Sequence, residues 1–351
     1  MTDGDGGRAR PWRVVQWTTG IVGGAALRGI IDDPRLELVG VYAHSAGKVG
    51  VDAGTIAGRD PVGVVATSDA DALLAARPDC VVYMPQWPVI DELERILRAG
   101  VNVVTTARLV DGRHYPAGAG DRLVAAARDG GATLLGTGMN PMFVPSVALA
   151  ATGMCARVRH VRILESVDCG VYGGTGTWEA YGFGTAPEPD RIRAELLDAE
   201  PDYLEALDQL AGALGATLDG HELEVDLATA NEDRDLGFIS IPTGTVSGID
   251  ARWIGLVEGT PFVELRTTWK LGALFGYTDT PDWPLLYGYR VDIDGDPNVK
   301  VRLSFVPADL DDFDVGAGTA LPAVNAIGPV CRAAPGVVGV ADLPLVTSRR
   351  A

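Results

Sequence analysis

Apolar and polar positions fall into two regimes along this chain. In the first, short apolar runs alternate with segments of helical spacing. Arg13–Trp17 (RVVQW) predicts a buried strand. Ile21–Asp32 (IVGGAALRGIID) predicts a helix with small residues near its start. Leu36–Tyr42 reads as a second strand, Asp69–Ala76 as a short helix and Cys80–Met84 as a third strand. Val89–Ala99 predicts an amphipathic helix, Val101–Thr106 a strand, Gly118–Arg128 a helix and Ala132–Leu135 a strand. Strands alternating with helices at this spacing build βαβ units, and hence a parallel sheet covered on both faces.

The pattern changes near residue 150. Val158–Val167 opens a series of strand-like runs that continues at 237–241, 245–256, 261–269, 287–293 and 299–305. Several alternate polar with apolar, as a sheet with one wet face does. Between them, Asp190–Leu214 predicts one or two acidic helices broken near Pro201. Ala320–Arg332 is apolar at helical spacing although it holds Pro322 and Pro329. The expected fold class is α/β. A loose polar tail (1–11) precedes a Rossmann doubly wound parallel sheet (12–150). A second α+β domain (151–315) and a C-terminal segment (316–351) follow.

Charge and cysteine usage narrow the function. In 351 residues, 29 Lys and Arg face 47 Asp and Glu, a net charge of −18. That balance argues against nucleic-acid backbone binding, which needs a basic stripe, and against an anionic membrane surface. Cys80, Cys155, Cys169 and Cys331 lie far apart, and no His/Cys group has zinc-ligand spacing, so no metal is expected. The opening MTDGDGGRARPW has no apolar signal core, and no stretch is long and apolar enough to span a membrane. A reducing cytoplasm is the expected compartment.

The chemistry-bearing motif lies between the first strand and the first helix. In Trp17-Thr18-Thr19-Gly20-Ile21-Val22-Gly23-Gly24, Gly20 and Gly23 have the spacing of the second and third glycines of GxGxxG. Thr18 stands where the first would be. Such glycines let a pyrophosphate approach backbone N–H groups at a helix N-terminus. The context, directly after the first strand of a βαβ unit, makes this a dinucleotide loop; a ligand-free glycine-rich turn is the alternative. A carboxylate at the end of the second strand would favour NAD. The segment Tyr42-Ala43-His44-Ser45-Ala46-Gly47-Lys48 has none. His44, Ser45 and Lys48 suit a 2′-phosphate instead, although Lys48 also reads as a solvated surface charge. NADP(H) is therefore favoured, with NAD(H) possible.

These residues, with VNVVTT, GTGMNPMF, the YGFG at Tyr181–Gly184, GDPNV at Gly295–Val299 and the closing AVNAIGPVC, resemble a known family. It is that of the dihydrodipicolinate-reductase-like dehydrogenases, which includes 2,4-diaminopentanoate dehydrogenase and the native amine dehydrogenases. The resemblance runs from Arg13 to Leu345. It implies a second domain with an open mixed sheet, a C-terminal segment that returns to the first domain, and a homodimer. It implies a small-molecule substrate and places Gly20–Gly23, with Ile21 and Val22, on the pyrophosphate. Met84 and Pro85, after Tyr83, would border the ribose and nicotinamide. Thr105, Thr106 and Asn140 would lie beside the nicotinamide; a helix N-cap is the other reading of Asn140.

Two departures bear on the reaction. Dihydrodipicolinate reductases carry a His-His…Lys motif, and the matching Glu165–Gly176 stretch has neither His nor Lys. Native amine dehydrogenases place a catalytic Glu after the strand matching VNVVTT. Here Arg108 takes that place, or stands within a residue or two of it, and the first carboxylate is Asp111. A guanidinium cannot accept a proton at neutral pH but can bind a carboxylate or polarise a carbonyl oxygen. The catalytic candidates are Arg108 and Tyr172, the latter as proton donor; Met139, Met142, Trp178 and Tyr181 would line a fairly apolar substrate pocket. The expected function is hydride transfer between nicotinamide and a C=O or C=N carbon. A non-catalytic NADP(H) sensor is the alternative.

Overall fold

The computed structural model describes residues 10–348 apart from 175, 274–275, 281, 285 and 306–313. Most of the expected tail thus lies outside the described residues; Arg10 is already tied to Asp79 by two bonds of 3.0 and 3.1 Å. Two compact units form, one from residues 1–139 with 314–351 and one from 140–313.

The first unit alternates strands and helices in the expected order. These are β1 (Trp12–Trp17), α1 (Ile21–Ile31), β2 (Leu36–Tyr42), α2 (Ala53–Ile56), β3 (Ala66–Thr67), α3 (Ala70–Ala75), β4 (Cys80–Tyr83), α4 (Ile90–Arg98), β5 (Asn102–Thr105), α5 (Ala119–Gly130) and β6 (Thr133–Gly136). Asp52 and Asp69 start α2 and α3 by accepting the N–H groups of Gly54 and Ala72, as N-cap carboxylates do. Strand alternation splits the core. Val14, Val82 and Val104 face one layer, and Val15, Val81 and Val103 the other.

The C-terminal segment belongs to this unit as α9 (Ala317–Arg332) and β15 (Gly336–Val338). Buried Ala320, Ala323, Val324 and Ile327 form the apolar stripe of α9, and α9 packs on α1. That burial overrides the two prolines inside the helix. The all-parallel sheet has the order β15-β6-β5-β4-β1-β2-β3. Strand order reverses between β1 and β4, and ligands of such sheets bind outside the carboxyl ends of the strands at that point.

The second unit begins at Asn140, whereas the sequence pattern changes only near 150. It holds α6 (Val144–Thr152), β7 (Arg157–Asp168), α7 (Pro189–Ala199), α8 (Pro201–Ala213), β8 (Gly220–Thr229), β9 (Arg234–Asp235), β10 (Ser240–Ile241), β11 (Val246–Val257), β12 (Thr260–Lys270), β13 (Gly288–Asp296) and β14 (Val299–Ser304). The break at Pro201 divides α7 from α8. The strand read at 237–241 shrinks to Ser240–Ile241, paired with Arg234–Asp235, because Gly237 turns the chain at φ 81°.

The main sheet has the order β14-β13-β7-β12-β11-β8 and is mixed, since β7 runs parallel to β12 while its other pairings are antiparallel. Ile163, Ile249, Trp253, Leu265 and Val291 are buried on one face. The intervening positions carry ion pairs, Arg266 with Asp250 and Arg162 with Asp294 among them. Among the described residues no helix is long and apolar enough to cross a membrane.

Candidate active site

Backbone, more than side chains, shapes the loop between β1 and α1. Thr18 adopts φ 68°, the left-handed region that glycine enters without strain. It occupies the position of the fingerprint's first glycine. Two bonds hold it there. Its N–H donates to the Tyr42 carbonyl at 3.0 Å, and Gln16 Nε2 donates to the Thr18 carbonyl at 2.8 Å. Gln16 is fully buried. Sequence reasoning passed over it, although a lone amide in an otherwise apolar, doubly covered strand was a usable signal.

Gly23 lies against this turn. A Cβ there would come within 2.4 Å of the Thr18 carbonyl oxygen, so only glycine lets α1 close on the loop. Gly20 caps α1, and a Cβ on it would meet nothing within 4 Å. Among the described residues, α1 has neither a side-chain cap nor an acidic residue in its first turn. Its leading N–H groups therefore face that open space with the positive end of the helix dipole behind them. Ile21 is exposed beside it, and Val22 packs into the core. The arrangement fits a dinucleotide pyrophosphate.

The neighbouring strand ends supply the other predicted residues of this unit. Tyr42 stacks on Trp17 with ring centroids 4.2 Å apart, and His44 meets Tyr42 edge-on at 4.8 Å. Ser45 is exposed. Lys48 Nζ donates to the Thr19 carbonyl at 2.6 Å and to Thr19 Oγ1 at 3.1 Å, which fastens a cation to the loop. Thr106 Oγ1 donates to Met84 Sδ at 2.8 Å, and Pro85 beside it is half-buried. Thr105 is buried and accepts the Ala107 N–H at 3.0 Å. Thr319 of α9 lies across from Thr106: a Cβ on Gly138 would meet Thr319 Cγ2 at 3.4 Å and Thr106 Cγ2 at 3.7 Å. Met139 Cε crowds Gly318. The first turn of α9 is thus a border that the sequence reading missed, because it lies so far along the chain.

After β5, Arg108 takes φ 49°. Its N–H donates to the Thr106 carbonyl at 3.0 Å, and its own carbonyl accepts the Tyr115 hydroxyl. Asp111 is buried and accepts Arg113 Nε at 2.9 Å.

In the second unit Asn140 does not cap a helix: α6 is capped by Phe143, and Asn140 is extended at φ −132° and ψ 134°. Its Nδ2 donates to Glu165 Oε2 at 2.7 Å and reaches the Tyr203 hydroxyl at 3.4 Å. Glu165 Oε1 accepts Trp269 Nε1 at 3.1 Å. Tyr289 adds a hydrogen bond to Glu165; burial and that carboxylate push its phenol well above the usual range. Glu165 was not among the predicted site residues, because β7 reads as a strand holding several charges and spacing alone does not set this one apart. Met142 is buried. Trp178 donates Nε1 to the Tyr172 carbonyl at 2.9 Å and forms an aromatic cluster with Tyr172, Tyr181, Phe183 and Trp269 at 5.8–6.2 Å.

A doubly wound parallel sheet with a phosphate-shaped turn at its switch point defines an NAD(P)-dependent dehydrogenase. The comparisons specify which kind. Residues 143–350 match the model of the 2,4-diaminopentanoate dehydrogenase C-terminal domain. The chain is 30% identical to an amine dehydrogenase from Streptomyces virginiae, over 94% of this chain and 96% of that protein. It is 23% identical to a 2,4-diaminopentanoate dehydrogenase from Acetoanaerobium sticklandii, over 95% and 93%. The structure of an amine dehydrogenase from Mycobacterium smegmatis shares the fold at TM-score 0.79 and 24% identity, covering 96% of this chain and 97% of that one. This chain belongs to the 2,4-diaminopentanoate dehydrogenase and amine dehydrogenase family.

Proposed function

We propose that the protein transfers a hydride between NADP(H) and the C=O or C=N carbon of a small, fairly apolar organic substrate. The observation that carries this reading is the turn at Thr18–Gly23, open over Gly20 and backed by the start of α1, in a chain of a dehydrogenase family. When bound, the nicotinamide supplies or accepts the hydride. The chain's own residues do the rest. Gly20–Gly23 and Thr19 hold the pyrophosphate, while Met84, Pro85, Thr105 and Thr106 border the nicotinamide end. Lys48, held on Thr19, with His44 and Ser45 suits a 2′-phosphate, and Tyr42–Lys48 offers no carboxylate to a 2′-hydroxyl.

A carbon bound to nitrogen is favoured by the similarity to a protein named amine dehydrogenase. Arg108 stands where a Glu is expected, so it holds a substrate oxygen or carboxylate rather than moving a proton. Proton delivery falls to Tyr172 or to water. The test is oxidation of NADPH, and of NADH in parallel, with a panel of ketones and aldehydes, with and without ammonium. Faster turnover with NADPH is expected, rising when ammonium is added. Absence of turnover with every carbonyl under both conditions would overturn the reading.

A further inference from the structure

We infer that Cys80 and Cys331 form a redox-responsive pair: under a peroxide oxidant their thiols close a disulfide that fastens the end of α9 to the start of β4. The inference does not depend on the proposed reaction.

Both cysteines are free and belong to the first unit, whereas Cys155 and Cys169 lie in the second. Cys80 opens β4 and is fully buried, and Cys331 sits half-buried in the last turn of α9. The two pack into one core layer. Cys331 Sγ lies 3.6 Å from the carbonyl oxygen of Asp79, the residue before Cys80. Cys80 Sγ lies 3.6 Å from the carbonyl oxygen of Val81, the residue after it. A hydrogen bond joins the two thiols. Thiols are weak hydrogen-bonding groups. The contact therefore contributes little to stability, but it keeps two sulfurs from opposite ends of the unit side by side.

A disulfide needs the sulfurs about 2.05 Å apart, so one side must move. The strand side is fixed: the Asp79 N–H donates to the Arg13 carbonyl at 2.7 Å, and the Asp79 carboxylate accepts the Arg13 N–H at 2.8 Å. The helix side can give. Pro329 has no N–H for the Asn325 carbonyl, so the turn that carries Cys331 is one backbone bond short.

Burial decides the order of events. Solvent reaches Cys331 and not Cys80. Burial, and then the neighbouring Cys331 thiol, raise Cys80 well above the usual thiol range, so it is inert toward an external oxidant. The Cys331 thiolate attacks hydrogen peroxide. The O–O bond breaks, hydroxide leaves and takes up a proton, and Cys331 becomes a sulfenic acid. The Cys80 sulfur then attacks the Cys331 sulfur. The S–O bond breaks, and the Cys80 proton leaves with the hydroxyl as water. Two thiols have lost two electrons and two protons, and one peroxide has become two waters.

The test is peroxide treatment of the full chain, a thiol count under denaturant and a non-reducing peptide map. The count should fall from four to two, with the Cys80 and Cys331 peptides joined, and dithiothreitol should restore it. Cys331→Ser should leave Cys80 reduced. Cys80→Ala should leave Cys331 without a resolving thiol, so that it proceeds to the sulfinic acid. Cys155→Ser should cross-link as wild type does. The oxidised chain should unfold at a urea concentration higher by about 1 M. A wild type that keeps Cys80 reduced, whether Cys331 stays a thiol or becomes a sulfinic acid, would overturn the pair. An unchanged or lowered urea midpoint in the cross-linked chain would overturn the fastening.

Discussion

The nucleotide loop of the first unit and the polar cluster of the second are made of different material. The loop is a backbone construction from consecutive residues. Thr18 turns at φ 68°, Gly23 closes against its carbonyl, and Gly20 leaves space above. The cluster is a side-chain construction. Asn140, Trp269 and Tyr289 come from separate elements and meet on the Glu165 carboxylate, and Tyr203 meets the Asn140 amide. A backbone site tolerates side-chain change and fails when a Cβ is added. A side-chain site tolerates backbone variation and fails when one buried partner is lost.

The largest expected effect is therefore in the second unit, at the buried pair of Arg234 and Asp279. Arg234 donates to Asp279 at 2.7 Å, with the two side chains 1% and 6% exposed. It also donates to the Leu271 carbonyl at 2.5 Å and lies 4.1 Å over the Tyr277 ring. Asp279→Ala strands the guanidinium in the interior, and should cost about 3–5 kcal/mol of stability. Urea unfolding measures it. A loss under about 1 kcal/mol would mean that water reaches the pair, as at an exposed salt bridge.

The matching change in the first unit is Gly23→Ala. Its methyl would sit 2.4 Å from the Thr18 oxygen, and overpacking of that kind costs about 1–3 kcal/mol. Spent on displacing the loop, that weakens NADPH binding by about 10–100-fold. A fluorescence titration decides it. Unchanged affinity would mean that the loop gives way without disturbing the phosphate site.

The smallest effect is a pH dependence. His160 Nδ1 lies 3.2 Å from Arg162 Nη1, which can only donate, so Nδ1 accepts. Burial first, then the Arg162 charge, lowers the His160 pKa from its ordinary 6.5. Between 6.5 and that lowered value the unfolded chain binds the extra proton and the folded chain does not. Stability therefore falls as pH falls through that window. His160→Gln keeps an acceptor for Arg162 and removes the titration, so its stability curve should be flatter there. Superimposable curves for the two proteins would discard His160 as a contributor.

Much of the first unit was legible because its signals are local. Apolar runs of strand length, helical spacing in Ile90–Arg98 and the glycines after Trp17 each constrain a few neighbouring residues. The apolar stripe of α9 was also legible, although propensity alone would have broken that helix at Pro322 or Pro329. Gly237–Ile241 misled in the other direction: its apolar residues are real, but the positive φ of Gly237 leaves only Ser240–Ile241 to pair.

The site divides along the same line. Local sequence dictates the alternation of strand and helix, the wet face of the second sheet and the turn that suits a pyrophosphate, because steric and hydrogen-bonding rules act between residues close in the chain. Only tertiary structure could bring Asn140 to Glu165, set Thr319 across from Thr106 and turn one strand glutamate into the acceptor for an amide and an indole. Those contacts join residues far apart in sequence. Their geometry follows from sheet register and helix packing, and no spacing along the chain encodes it.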